Sequence, residues 1–291
     1  MLLALKLVLV PAFLAALTVA ARVWGPSVAG WLAGLPVVAG PIVLLLALER
    51  GPSFAAQASV ASIAAIAASE AFNLAYAWTC RRFAWPLATA AGMAGWLGAA
   101  LLLAHLSAPL PGSLVAAMAA ACVAVAVSQS CLPRVTGAVP AARGGRVDLA
   151  VRMLAGALLT VMVTTMSVSM GATWSGLLSV FPLLGIVLAV SAQRAHGVDF
   201  VALLMRGMVI GRGSFAAFFA VAATMLPRYG VWLSFACAAV VSIVVQGATR
   251  RMLRARRPVP AASRAAGRVG RMRRDDAEGG RMTPTRRNPT L

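Results

Sequence analysis

Nine apolar stretches, each near the roughly 20 residues a helix needs to cross a bilayer, occupy most of the chain, at 1–21, 27–48, 53–78, 83–106, 112–132, 149–170, 173–193, 199–226 and 230–248. Hydrocarbon offers no water to backbone N–H and C=O groups, so such stretches must satisfy them internally, as helices do. The sequence therefore predicts an all-α polytopic transmembrane bundle. The breaks fall at turn chemistry: Gly25-Pro26, Gly51-Pro52, Pro109 to Gly112, Gly144-Gly145, and Pro227 with Gly230. Only 11% of residues are charged and 61% are hydrophobic, where a soluble domain carries roughly 25% charged residues. A soluble domain is excluded on that ground. Four regions follow: a first membrane half at 1–132, a basic loop at 133–148, a second half at 149–248, and a basic tail at 249–291 expected to be disordered.

The charges orient these spans. Basic residues total 26 against seven acids, and 13 of them, with three of the acids, follow Ala248. Counted on alternate sides, one set of connections holds Arg22, Arg81, Arg82, Arg134, Arg143, Arg146, Arg194 and the tail; the other holds Arg50 beside Glu49, and Arg228. Arginine and lysine accumulate on the cytoplasmic side, which places the tail in the cytoplasm and the N-terminus outside. Lys6 is the discordant charge; we read the first span as an uncleaved helix because its apolar run lacks a clear signal-peptide cleavage site.

The chain also resembles itself. Gly30-Trp31-Leu32-Ala33-Gly34-Leu35-Pro36 matches Gly176-Leu177-Leu178-Ser179-Val180-Phe181-Pro182 at an offset of 146 residues. The same offset brings Gly51 onto Gly197, Phe54 onto Phe200, and Ala71-Phe72 onto Ala217-Phe218. The copies start in the second and seventh spans, and an odd separation reverses orientation, so the spacing predicts an inverted-topology repeat. Four spans in the second half leave one span of the first without a counterpart, most simply the fourth.

Inverted repeats are a recurring plan in secondary transporters, whose sites lie near the midplane where paired helices are interrupted. Here the breakers are Pro36, Gly40 and Pro41 in one half and Pro182 and Gly185 in the other. Charges within spans are few: Glu70 in the third, Arg152 at the start of the sixth, and Arg206 and Arg212 in the eighth. Arg152 lies where its side chain can reach the membrane surface. At a rise of about 1.5 Å per residue, Glu70 and Arg206 fall at a similar depth, which predicts an ion pair between them. Arg212 falls at the midplane with no evident acid, which suits an anionic ligand. The glycines from Gly207 to Gly213 permit close approach of a neighbouring helix. Glu70, Arg206, Arg212 and the five breakers thus form the candidate solute site.

Catalytic chemistry finds no support in the sequence. His105 and His196 fall on opposite sides, no paired acid-rich metal site exists, and Gly211-Arg212-Gly213-Ser214 is no nucleophile elbow. Cys80, Cys122, Cys131 and Cys237 show no ligand spacing and read as small buried hydrophobes. No metal or cofactor is expected. The basic tail suits anionic lipid headgroups. It lacks aromatics to stack on bases, which disfavours nucleic acid.

The segment from Gly176 to Phe219 resembles the GlpM-type inner-membrane proteins of bacteria in its Gly-Leu-x-x-x-Phe-Pro opening and its His196-Gly197 turn. The whole chain resembles bacterial multi-pass inner-membrane proteins with a duplicated core. Neither resemblance implies a substrate or carries over a functional residue. Together these readings predict a transporter-like protein of the bacterial inner membrane moving a small anionic or amphipathic solute. The alternative is a non-transporting assembly subunit that binds a partner through its helices.

The orientation has a direct test. A reporter fused after Leu291 is expected to read cytoplasmic, and a label near His105 external. Finding both on one side would remove the nine-span count.

Overall fold

A computed structural model describes residues 22–107, 114–135 and 171–255, together with residues 12, 15, 16, 18–20, 154, 165 and 166. Most of the first and sixth expected spans, most of the 133–148 loop and the tail beyond Ala255 lie outside the described residues. The described elements are helices: α1 Pro26–Ala33, α2 Ala39–Arg50, α3 Pro52–Thr79, α4 Trp85–Ser107, α5 Leu114–Cys131, α6 Ala172–Ser179, α7 Leu183–His196, α8 Val198–Tyr229 and α9 Val231–Ala255. Among them, six stretches are long and apolar enough to cross a membrane: α3, α4, α5, the α6–α7 stretch, α8 and α9. The protein is thus an all-helical integral membrane protein.

The second and seventh expected spans are each divided. α1 and α2 are 8 and 12 residues long and are interrupted around Pro36; α6 and α7 are interrupted by Val180–Pro182. Proline has no N–H and its ring clashes with the preceding turn, so neither stretch continues as one helix. Gly40 and Pro41 lie in the first turn of α2 rather than in the break. That position tolerates proline, because the N–H there has no intrahelical acceptor. At the other end of the chain, α9 continues past Arg250 to Ala255, beyond the expected start of the tail. The chain divides into two units, Met1–Thr249 and Arg250–Leu291.

The first unit is built around α3 and α8, which pack against each other. Each also packs against the broken stretch of the other half, α8 on α1 and α3 on α6. Glycines permit these approaches. Gly30 and Gly34 of α1 face the backbone of α8, and Gly207 and Gly211 of α8 face Ser27, Trp31 and Gly34. Two small-x-x-x-small stripes thus lie against one another, the arrangement that lets membrane helices gain van der Waals contact without a hydrophobic drive. α3 is rich in alanine and serine for the same reason; Ser59 and Ser62 donate to the carbonyls of Ala55 and Ala58 at 2.7 and 2.8 Å, so these small polar residues sit in the core satisfied. The outward faces of α4, α5 and α9 expose Leu87, Leu102, Val115, Val123, Trp232 and Ile243, as lipid requires.

The contacts are reciprocal. A Cβ on Gly30 would meet the Leu204 carbonyl, and one on Gly176 would meet the Ala58 carbonyl; Gly30 and Gly176 differ by 146 positions, as do Ala58 and Leu204. Phe218 lies against Gly40 and Phe72 against Gly185. Helix starts recur at the same interval: Pro26 and Ala172, Pro52 and Val198, Trp85 and Val231. Gly51 and Gly197 cap α3 and α8 at φ of 93° and 84°, a conformation glycine adopts without strain. By this numbering α9 stands opposite α4, so α5, not the fourth span, is the described helix with no counterpart.

Side chains join the ends of α3, α5 and α7 and the start of α4. Tyr76 donates to Gln193 at 2.8 Å, Gln193 donates to the Phe83 carbonyl at 3.0 Å, and Trp78 donates to the Cys131 carbonyl at 3.0 Å. α7 therefore ends where α3 ends, and α8 starts there, whereas α2 ends where α3 starts. α3 and α8 run antiparallel.

Substituting Gly30 or Gly176 by Val is expected to lower stability by about 1–3 kcal/mol or more, since the new atoms meet backbone and not a movable side chain. Gly98 has open space around its Cα, so Gly98→Ala is expected to leave thermal unfolding in detergent unchanged.

Candidate functional site

Breaking a helix frees backbone groups, and each break here recruits side chains to satisfy them. At the first, the N–H of Leu35 turns back to Leu32, so the Trp31 carbonyl accepts from the Gly34 N–H at 3.2 Å in place of its usual helical donor. The Gln246 amide of α9 also donates to the Trp31 carbonyl, at 2.7 Å, and the Trp31 indole N–H donates to Thr249 at 3.2 Å. At the second, the N–H of Val180 turns back to Leu177, leaving the Gly176 carbonyl. The Ser179 hydroxyl donates to it at 2.7 Å, with the Ser62 hydroxyl of α3 at 2.8 Å from Ser179.

The two breaks face one another across a cavity of about 40 Å³, lined by Leu35 and Val38 of one and Val180 to Pro182 of the other, with Ser69, Asn73 and Arg212 as its polar wall. Water needs about 10–15 Å³ of such space, so the cavity has room for about three waters or one small ion. The starts of α2 and α7, at Ala39 and at Leu183 to Gly185, line it as well. A helix N-terminus carries unsatisfied N–H groups and roughly half a positive charge. These helix starts and the Arg212 guanidinium bring positive charge to the cavity, set against the Glu70 carboxylate behind it and the ends of α1 and α6, whose Ala33 and Ser179 also line it.

Arg212 is buried among these groups. Its Nε donates to Glu70 Oε1 at 2.8 Å, and its Nη2 donates to Ser69. Asn73 Nδ2 donates to Glu70 Oε2 at 3.2 Å, while Asn73 Oδ1, also buried, has no hydrogen-bond partner. Glu70 is 1% exposed and Arg212 6%, so each charge depends chiefly on its partner.

This pairing corrects the one expected from depth. Glu70 meets Arg212, not Arg206. Arg206 instead donates to the carbonyls of Leu132 and Gln129 at 2.8 and 3.3 Å, where the C-terminal end of α5 concentrates partial negative charge. Residues six apart on a helix point about 120° apart at 3.6 residues per turn. Arg206 therefore faces α5 while Arg212 faces α3, and the guanidinium's length spans the difference in depth. Of the expected site residues, Pro182, Gly185 and Arg212 line the cavity and Glu70 stands directly behind Arg212. Gly40 packs on the Phe218 ring instead, and Arg206 takes no part. Ser69 and Asn73 were not expected. Their signal was present, since each lies within one helical turn of Glu70, but such residues are common in membrane helices.

Of the cysteines, Cys80 alone is buried; Cys122 and Cys131 are exposed on α5 and Cys237 is intermediate. The expectation of buried cysteines fails for α5 because that helix turns much of its surface outward. Burial pushes the Cys80 thiol up to about 11, so it is a poor nucleophile at neutral pH. No group of His, Cys, Asp and Glu that could hold a metal occurs among the described residues.

No family model, curated protein or solved structure matches the chain.

Glu70→Gln or Arg212→Met alone is expected to cost about 3–5 kcal/mol, because each strands its partner in low dielectric. The double variant is expected to be more stable than either single one. Arg206→Ala is expected to cost about 1.5–3 kcal/mol, the range for hydrogen bonds made by a charged group. Unfolding titrations in detergent compare the four. A loss in the double variant equal to the sum of the two single losses would show that the pair is not coupled.

Proposed function

We propose that the chain is a transporter-like protein of the bacterial inner membrane, not an enzyme, which carries a small anion through a midplane site between two halves of inverted topology. The observation that carries this reading is the cavity between paired helix breaks, walled by the Arg212 guanidinium. The reciprocal contacts at an interval of 146 residues and the antiparallel course of α3 and α8 support the repeat. Two similar halves packed in opposite directions about one site supply two similar packings of the molecule, each opening the site to one side, which is the physical basis of alternating access. The cavity's size favours a small ion over the amphipathic solute that sequence leaves open. The orientation with a cytoplasmic C-terminus, and anionic lipid headgroups at the basic tail, belong to the same proposal.

Proteoliposomes of the full chain, loaded with nitrate or chloride and diluted into the other anion, provide the test. Exchange well above that of protein-free vesicles is expected, with loss of it in Arg212→Met relative to the Gly98→Ala control. Flux no greater than in protein-free vesicles would overturn the transport reading.

A further inference from the structure

The Glu70 carboxylate occupies the guanidinium that an anion in this cavity needs. Two negative groups sharing one cation in a low-dielectric interior repel each other strongly, and one of them must be neutralised or leave. Among the described residues Glu70 has no second cation to move to. Among the described residues, the helices packed around it offer no other charged side chain at this level. α1 and α6 have no titratable side chain; Glu49 and Arg50 close α2; Arg194 and His196 close α7; Cys122 and Cys131 are the titratable groups of α5; Arg206 is turned to the end of α5. On α3 itself, Tyr76 is directed to Gln193 and Cys80 lies beyond the helix end. Asp199, Arg228 and Tyr229 lie in the terminal turns of α8, and His105 in the last turn of α4.

Asn73 is arranged for a change in the charge of Glu70. An amide carries a donor and an acceptor at nearly superposable positions. At present Nδ2 donates to the carboxylate and Oδ1 has no partner. Turning the amide by half a rotation would therefore give up no bond at Oδ1. It would present Oδ1 to Glu70 as an acceptor, which only a protonated carboxyl can use. It would also place Nδ2, a donor, on the side away from Glu70.

We propose that an anion entering the cavity replaces Glu70 on Arg212, that Glu70 takes up one proton as it is displaced, and that the turned Asn73 amide accepts the new Glu70 hydroxyl, so that anion and proton bind together. The inference rests on the transport reading above and names its substrate class and its coupling. The step balances: the Arg212–carboxylate contact breaks, the guanidinium gains the anion, one proton from the aqueous phase forms the Glu70 O–H bond, and the site's net charge is unchanged. Release on the opposite side reverses each change and restores the ion pair.

The probes are nitrate and chloride, whose acids are too strong to bring the proton themselves. Titration calorimetry of the full chain in detergent, in two buffers of different ionisation enthalpy, counts protons taken up per anion. One proton per anion is expected, with affinity rising about tenfold per unit fall in pH wherever Glu70 is ionised in the free protein. In Glu70→Gln the anion is expected to bind without proton uptake, with pH-independent affinity, and to raise the melting temperature by replacing the missing counter-charge. Should that variant fail to fold, infrared difference spectra of the wild type on nitrate addition serve instead, where a new protonated-carboxyl band is expected. Anion binding without proton uptake, or a Glu70→Gln variant that retains it, would overturn the coupling and leave the transport reading intact. No binding of either anion, together with no flux, would overturn both.

Discussion

An arginine near the middle of a membrane helix needs a countercharge, and the contact between Arg212 and Glu70 supplies it. The pair joins α8 to α3, the two helices around which the bundle is built, and it does so at the level of both helix breaks. It shares its surroundings with Ser69 and Asn73, which leave neither end of the ion pair to hydrogen-bond alone. A buried ion pair is weak evidence for stability, because desolvating two charges offsets much of their attraction. Its presence in a core otherwise dominated by apolar side chains is better explained by what it does to the cavity beside it.

The breaks impose a second requirement. In hydrocarbon a freed carbonyl costs several kcal/mol unless something donates to it. Trp31 and Gly176 each lie just ahead of a break, one in each half, yet their carbonyls are satisfied differently, the first with help from Gln246 of α9 and the second by serines of α6 and α3. The backbone pattern is repeated while the side chains that support it are not. The difference extends to the charges. Position 66, the counterpart of Arg212, is Ile66, and position 216, the counterpart of Glu70, is Ala216. The Glu70–Arg212 pair therefore crosses the boundary between the halves and has no equivalent at the positions related to it by 146 residues.

Close packing makes this geometry stiff where it must be. Gly30 and Gly34 lie against α8, where Gly207 and Gly211 bring backbone to backbone, leaving α1 little freedom to move relative to α8. The cavity wall opposite is made of side chains, including Phe181, Met208 and Phe215, and of short helix ends. The glycine contacts tie each broken stretch to a helix of the other half, α1 to α8 and α6 to α3, so a motion that opens the cavity has to carry each of these pairs as a unit and change the wall between them.

Much of this architecture is legible in the amino-acid chain itself. Length and polarity of the apolar stretches dictate membrane helices, because hydrocarbon admits few other continuous backbones. Pro36 and Pro182 mark the breaks, since proline cannot continue a hydrogen-bond ladder, and the 146-residue interval is visible in residues that turns and close contacts restrict to glycine, proline or phenylalanine. Depth along each helix can be counted from its ends. The direction in which a side chain points around the helix relative to its neighbours cannot, because that depends on how helices cross. For this reason depth pairs Glu70 with Arg206, while Arg212, about one and two-thirds turns further along α8, is the residue that reaches it. Tertiary structure alone decides that the two breaks share one cavity, that Asn73 stands beside the carboxylate with an unused acceptor, and that α5 has no counterpart among the described helices. Each of these depends on contacts between residues far apart in the chain or on helix packing, and apolar periodicity carries no record of which helix lies next to which.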